Sequence, residues 1–330
     1  MVILTFLTKS SVAGKRLHTR FLVLILILVT LAGCASTSPE LAVIYQQASG
    51  DFDRDHLIDP VAFYPQKRYQ CGPAALATIL IHSGIPATPD SLVHSVYIPD
   101  LKGSLQVEML VATRQHKRLA YELDPTLESL FQEINSNVPV LVLQNLGFEF
   151  WPRWHYAVVV GYDLTKRTIT LHSGTTKNYT MKLVTFERTW KRADNWAMLA
   201  VAPGVTTKSM NEDEYFISAV AFEKVNQPQV VEKVYLAGVK RWPSALLLKT
   251  AYANFLYHQN RLDESAEQYQ AILNIHPDDA TVHNNLAQVL MEMGQMDLAE
   301  RHASIAVELG GQYADRYSQT LNEIRSLRQK

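Results

Sequence analysis

Three consecutive residues, Cys71, Gly72 and Pro73, stand immediately before an apolar run, Ala74-Ala75-Leu76-Ala77-Thr78-Ile79-Leu80. Proline suits the first turn of a helix, where its missing N–H costs nothing. The pattern predicts a helix over 73–83 with Cys71 just before it, beside free N–H groups and the positive end of the helix dipole. Such a position lowers a thiol pKa and favours the nucleophilic thiolate. Burial of the apolar run would fix the sulfur in place, as a nucleophile requires. The plainer reading of a single cysteine is a small buried hydrophobe. Against it, the neighbours Gln70, Gly72 and Pro73 are polar or conformationally special. A histidine, His155, follows 84 residues later at the head of an apolar stretch, Tyr156-Ala-Val-Val-Val160. Taken alone, it could equally be a surface residue.

The elements that must position these two residues can be read from hydrophobic pattern. Helical signals cover 73–83, 89–96, 104–117, 126–135 and 185–192, and strand signals cover 138–144, 155–162, 168–172 and 197–202. About ten residues join the first two strands. That is too short for a parallel crossover and predicts antiparallel pairing. Residues 60–202 therefore read as an α+β domain, a helical half packed on an antiparallel sheet. A linker is expected at 203–211 (Pro203-Gly204-Val-Thr-Thr-Lys-Ser-Met-Asn211).

Residues 212–313 repeat with a period of 34. Ala219, Ala253 and Ala287 share one position, Val231, Ser265 and Ala299 another, and Tyr235, Tyr269 and Ala303 a third. Small residues at the first two positions let paired helices approach closely. Asn226, Asn260 and Gly294 tolerate the left-handed backbone that ends a helix, and Pro243, Pro277 and Gly311 end the second helix of each pair. The pattern resembles the tetratricopeptide (TPR) repeat, with the first of three units degenerate. Residues 314–330 read as a capping helix for this all-α solenoid. Its concave face would take a protein partner.

Composition narrows the function further. The chain has 330 residues, 47% hydrophobic and 19% charged, and a formal net charge of −1. This is a globular chain of about two domains, with no nucleic-acid signature. Its histidines show no metal-ligand spacing and it has only two cysteines, so no metal or other cofactor is expected. A polar, basic segment precedes the apolar run Phe21–Ala32, which is too short for a comfortable membrane span. The sequence Leu31-Ala32-Gly33-Cys34 resembles the bacterial lipobox. The resemblance implies a signal peptide at 1–33, lipid attachment at Cys34 and a lipidated tether over 34–59. With Ala35 after the cysteine, it implies an outer-membrane protein facing the periplasm of a Gram-negative bacterium. Removal of the leader takes Lys9, Lys15, Arg16 and Arg20 but no acid, so acidic residues outnumber basic ones in the mature chain.

Cys71-Gly72-Pro73 at a helix start, with His155-Tyr-Ala-Val-Val-Val-Gly161-Tyr-Asp163 on a strand, resembles the bacteriocin-processing (double-glycine) peptidase branch of the papain-like cysteine peptidases. The resemblance covers 60–202 and, with the lipobox and the repeats, suggests an exported lipoprotein subgroup. It implies a thiol hydrolase of peptide or amide bonds acting on a protein or peptide. Cys71 would be the nucleophile, His155 the general base and Gln66 the oxyanion donor, with Gln70 the fallback. The family usually places an Asp at the end of the next strand. Here His172 falls at that point, beside Ser173, and Asp163 lies at a turn. His172, or Ser173, could orient His155 through a hydrogen bond but not by charge. A Cys–His dyad, a weaker triad with His172, and a peptidase-like domain that binds without cleaving are all compatible with this gap.

Overall fold

The computed structural model describes residues 38–47 and 52–329. The expected signal segment and Cys34 lie outside the described residues. One helix, α1 (Pro39–Gln47), belongs to a unit separate from the rest. It sits within the segment expected to be a tether, and Ser38 Oγ caps it by accepting the Leu41 N–H at 3.1 Å.

The second unit contains the α+β domain and the helical array. Its sheet has seven strands among the described residues, all pairs antiparallel: β1 (Asp55–Leu57), β2 (Leu119–Glu122), β3 (Val140–Asn145), β4 (Trp154–Asp163), β5 (Thr168–Ser173), β6 (Thr176–Lys182) and β7 (Ala197–Val201). The order is β2-β7-β3-β4-β5-β6, with β1 pairing the far half of β4. The sheet therefore begins at Asp55, five residues before the start expected for the domain and inside the expected tether. The helices are α2 (Cys71–His82), α3 (Pro89–Val96), α4 (Gln106–Gln115), α5 (Leu127–Asn135) and α6 (Leu183–Lys191). α2 is apolar all round and buried from Gly72 to Leu80, the pattern of a central core helix. It packs on β3 and β4. Burying Leu76, Ile79 and Leu80 stabilises the fold by roughly 1.5–3 kcal/mol each and pins the position of Cys71.

Beyond the sheet, helices α7 (Glu212–Glu223) to α13 (Ala314–Arg328) follow the 34-residue period. The first helix of each pair starts at Glu212, Leu246 and Ala280, and the terminal helix starts at Ala314. α8 (Pro228–Arg241), α10 (Leu262–Leu273) and α12 (Met296–Leu309) are the second helices, and α9 (Leu246–His258) and α11 (Ala280–Glu292) the remaining first ones. The repeated Ala219, Ala253 and Ala287 are all fully buried, as close helix approach demands. Asn260 and Gly294 hold positive φ, as turn residues ending their helices.

The expected linker segment is docked on the domain before it. Ser209 hydrogen-bonds the buried Glu133 of α5, and the Asn211 N–H donates to Tyr121 Oη of β2 at 3.0 Å. Asn211 Nδ2 donates to Asp124 at 2.8 Å, and Ser218 Oγ of α7 donates to the Ala120 carbonyl at 3.0 Å. Helix α7 thus packs on the β2 edge and covers it, which a polar Pro-Gly-Thr stretch does not announce.

Candidate active site

Cys71 opens α2. Pro73 has no N–H, so the first helical turn offers free N–H groups only from Cys71 and Gly72. Both face the sulfur, as does the N–H of Tyr156 on β4. These donors favour the thiolate, but burial outweighs them and pushes the thiol pKa up. The expectation of a depressed thiol pKa is therefore corrected. The helix start is present, but removing the sulfur from water costs more than the donors return.

Gly72 is fixed by the close approach of the loop before α4. A Cβ there would lie 2.3 Å from Ser104 Oγ and 2.7 Å from Ser104 Cβ. Gly72→Ala is expected to cost about 1–3 kcal/mol by overpacking. Adding Ser104→Gly should recover much of it in thermal melts. A melting point unchanged by Gly72→Ala would contradict this packing.

His155 stands at the start of β4, opposite Gln144 of β3. Its Nε2 lies 2.9 Å from Ser173 Oγ on β5. Burial, and then the neighbouring Arg153 charge, pull its pKa down to about 4. At neutral pH the pair is thus a thiol and a neutral imidazole. If Nε2–H donates to Ser173, Nδ1 keeps the lone pair that a base needs.

The side chain beside His155 Nε2 is that of Ser173, and not that of His172, the expected third member. Successive side chains on β5 point to opposite faces. His172 is 5% exposed and turned away, with Nε2 3.3 Å from the Val61 carbonyl and Nδ1 accepting the Asn178 N–H at 3.3 Å. Both ring nitrogens are occupied by backbone, and the ring packs edge-on to Phe63. Asp163 is eight residues along β4 from His155, about 26 Å at strand rise, and bonds Lys166.

The two glutamines separate clearly. Gln66 lines the same cleft as Cys71 and His155, and its Nε2 donates to the Tyr156 carbonyl at 3.4 Å. Gln70 lines a smaller neighbouring pocket, and its Oε1 is buried without a hydrogen-bond partner. The cleft has a volume of about 880 Å³. Asn145, 2% exposed, shapes its rim: Oδ1 accepts the N–H groups of Gly147 and Arg153, each at 2.9 Å. That turn delivers Arg153 and Trp154 to the cleft wall. Sequence reading passed over Asn145, although an Asn heading a Gly-containing loop is a known turn signal.

Residues 58–198 match the model of the Peptidase_C39 like family, and residues 253–294 match the TPR repeat. A solved Bacillus anthracis structure described as a C39-like peptidase is 16% identical, with a TM-score of 0.41, covering 47% of this chain and 100% of its own. The Yersinia enterocolitica type III secretion chaperone SycD, in complex with a peptide of the translocator YopD, is 15% identical, with a TM-score of 0.33, covering 36% of this chain and 94% of its own. No curated protein matches the chain. The expected resemblance to C39-like peptidases and to the TPR repeat, and the fold class, are borne out: residues 58–198 form a C39-like peptidase domain on an antiparallel sheet, followed in the same chain by a TPR region.

Proposed function

We propose that this chain is a cysteine peptidase that hydrolyses peptide or amide bonds, anchored in the cell envelope through lipid on Cys34. The observation that carries the reading is that Cys71, His155 and Gln66 line one cleft and that His155 Nε2 lies 2.9 Å from Ser173 Oγ. In the reaction, His155 Nδ1 takes the Cys71 proton as the sulfur attacks the substrate carbonyl carbon. The Cys71 N–H and Gln66 Nε2–H receive the developing oxyanion. One such donor is worth roughly 2.7–4 kcal/mol in comparable sites. His155 then protonates the leaving amine, and water hydrolyses the thioester by the reverse proton path. The TPR region, a kind of element that generally mediates protein–protein contacts, would recruit the substrate or a partner. The test is cleavage of a peptide library followed by mass spectrometry. Wild-type protein should generate products that protein alkylated at Cys71 does not, and identical product sets would end the proposal.

Ser173 has a measurable share in this scheme. Ser173→Ala should lower kcat about tenfold, the equivalent of one hydrogen bond of about 1.4 kcal/mol, with KM little changed. An unchanged kcat would remove Ser173 from the mechanism.

A second reading is a peptidase-like binding or assembly lipoprotein without turnover. The raised thiol pKa and the hydroxyl in place of a carboxylate behind His155 favour it. Complementation separates the two readings. If Cys71→Ser fully rescues a deletion phenotype, catalysis is not the function.

A further inference from the structure

The cleft differs in charge from the chain that forms it. The whole protein carries a formal net charge of −1. Lining the cleft are four cations, Lys67, Arg68, Lys102 and Arg153, against one carboxylate, Asp194. Only Lys67 is neutralised, by Asp90 at 2.6 Å. Among the described residues, Arg68, Lys102 and Arg153 make no ion pair, and all three are exposed. Arg68 lies over the ring of Tyr69, 4.9 Å from its centroid, and both residues line the cleft that holds Cys71.

The backbone maintains this arrangement at a cost. Tyr69 and Lys102 both hold positive φ, at 65° and 48°. That region is uncommon for any residue other than glycine, and an aromatic residue in it is a genuine outlier. The strain sits at two lining positions on separate loops, and both an aromatic and a cationic side chain line the same cleft from them. Exposed apolar surface shares the cleft with the charges: Leu101 is 59% and Trp154 56% exposed, and both line it.

Resting on the peptidase reading for its substrate class, we propose that the cleft takes an anionic polypeptide segment. Its carboxylates engage Arg68, Lys102 and Arg153, and its apolar side chains rest on Tyr69, Leu101 and Trp154. Arg153 ties recognition to the chemistry. It lies close enough for its charge to oppose protonation of His155. A substrate carboxylate on Arg153 cancels that charge, so the imidazole is a better proton acceptor when an acidic substrate is present. The charge that a carboxylate behind His155 would supply comes instead from the ligand.

The experiment measures binding without turnover. Full-length Cys71→Ala protein, purified in detergent, is titrated into two fluorescent peptides that share length and apolar residues but carry glutamates or lysines. The acidic peptide should bind at least tenfold tighter at 20 mM salt, with the gap closing at 0.5 M as screening shortens to a few ångströms. Lys102→Glu with Arg153→Glu should reverse the preference, with melting curves confirming the fold. Equal affinities, tighter binding of the basic peptide, binding of neither, or binding of anionic phospholipid vesicles in place of peptide would each overturn the inference. The two proposals fail separately. Acidic-peptide binding without cleavage by wild type removes the peptidase reading and keeps the anion cleft. Cleavage with no charge preference does the reverse.

Discussion

Cys71→Ala is expected to lower hydrolysis by on the order of 10⁴-fold or more while leaving the protein folded. The large effect follows from the division of labour in the cleft. A covalent route needs a sulfur at the start of α2, in the cleft that His155 also lines. Gln66 and the backbone donors alone retain only the part of catalysis that comes from binding and oxyanion stabilisation. The small effect on folding follows from position. Cys71 is only partly buried, and the apolar contacts of α2 come from Ala74 to Leu80 further along the helix. Circular dichroism and melting point should match wild type within a few degrees. Residual turnover within tenfold of wild type would mean that another group attacks the substrate.

The second large effect is in pH dependence. Burial raises the Cys71 pKa and lowers that of His155 to about 4, so the free protein holds both groups neutral over a wide range. The plot of kcat/KM against pH should show a broad plateau, with an acid limb near pH 4 and an alkaline limb above the ordinary thiol range. Iodoacetamide should label Cys71 with a midpoint above the usual thiol value of about 8.5. A midpoint below it would mean that the sulfur is a stabilised thiolate after all.

The same imidazole leaves a mark on stability. A histidine with a native pKa depressed from 6.5 to about 4 binds fewer protons folded than unfolded between those values. Its contribution is therefore complete above pH 6.5 and is lost as pH falls toward 4, by at most about 3 kcal/mol. Glu133 and Glu214, whose pKa values burial raises, act with the opposite sign over part of that window. The contribution must therefore be read as a difference. Wild type should lose stability relative to His155→Gln as pH falls from 6.5 to 4 in urea melts. A difference constant with pH would mean that His155 titrates normally.

The features legible in the sequence were those with a local signature. Cys71-Gly72-Pro73 marked the start of α2, and the 34-residue period marked the helix starts at Glu212, Leu246 and Ala280. Short, weakly apolar strands were not legible. β6 reads Thr-Lys-Asn-Tyr-Thr-Met-Lys, almost wholly exposed, and β1 has three residues. Both exist because neighbours supply their hydrogen bonds. β2, Leu-Ala-Tyr-Glu, was lost between two helices. Sequence points to His172 as the third member where the structure places Ser173 beside His155, because strand parity depends on a register that the bulges in β4 and β5 shift. The direction of the Cys71 shift was misjudged because helix-end donors are visible in a sequence and burial is not.

Helix α7 clasped to the β2 edge has a further consequence. The first helix of the array is tied to the sheet by these bonds and does not hang from a loose linker. A ligand seated on the array gains local concentration at the sulfur only if its own loose chain spans the gap, because the protein contributes no slack. If the TPR region docks the substrate, as proposed, the length of the connecting stretch becomes a determinant of cleavage. Two ligands with the same docking segment and the same target bond, but connecting stretches of different length, would be treated unequally.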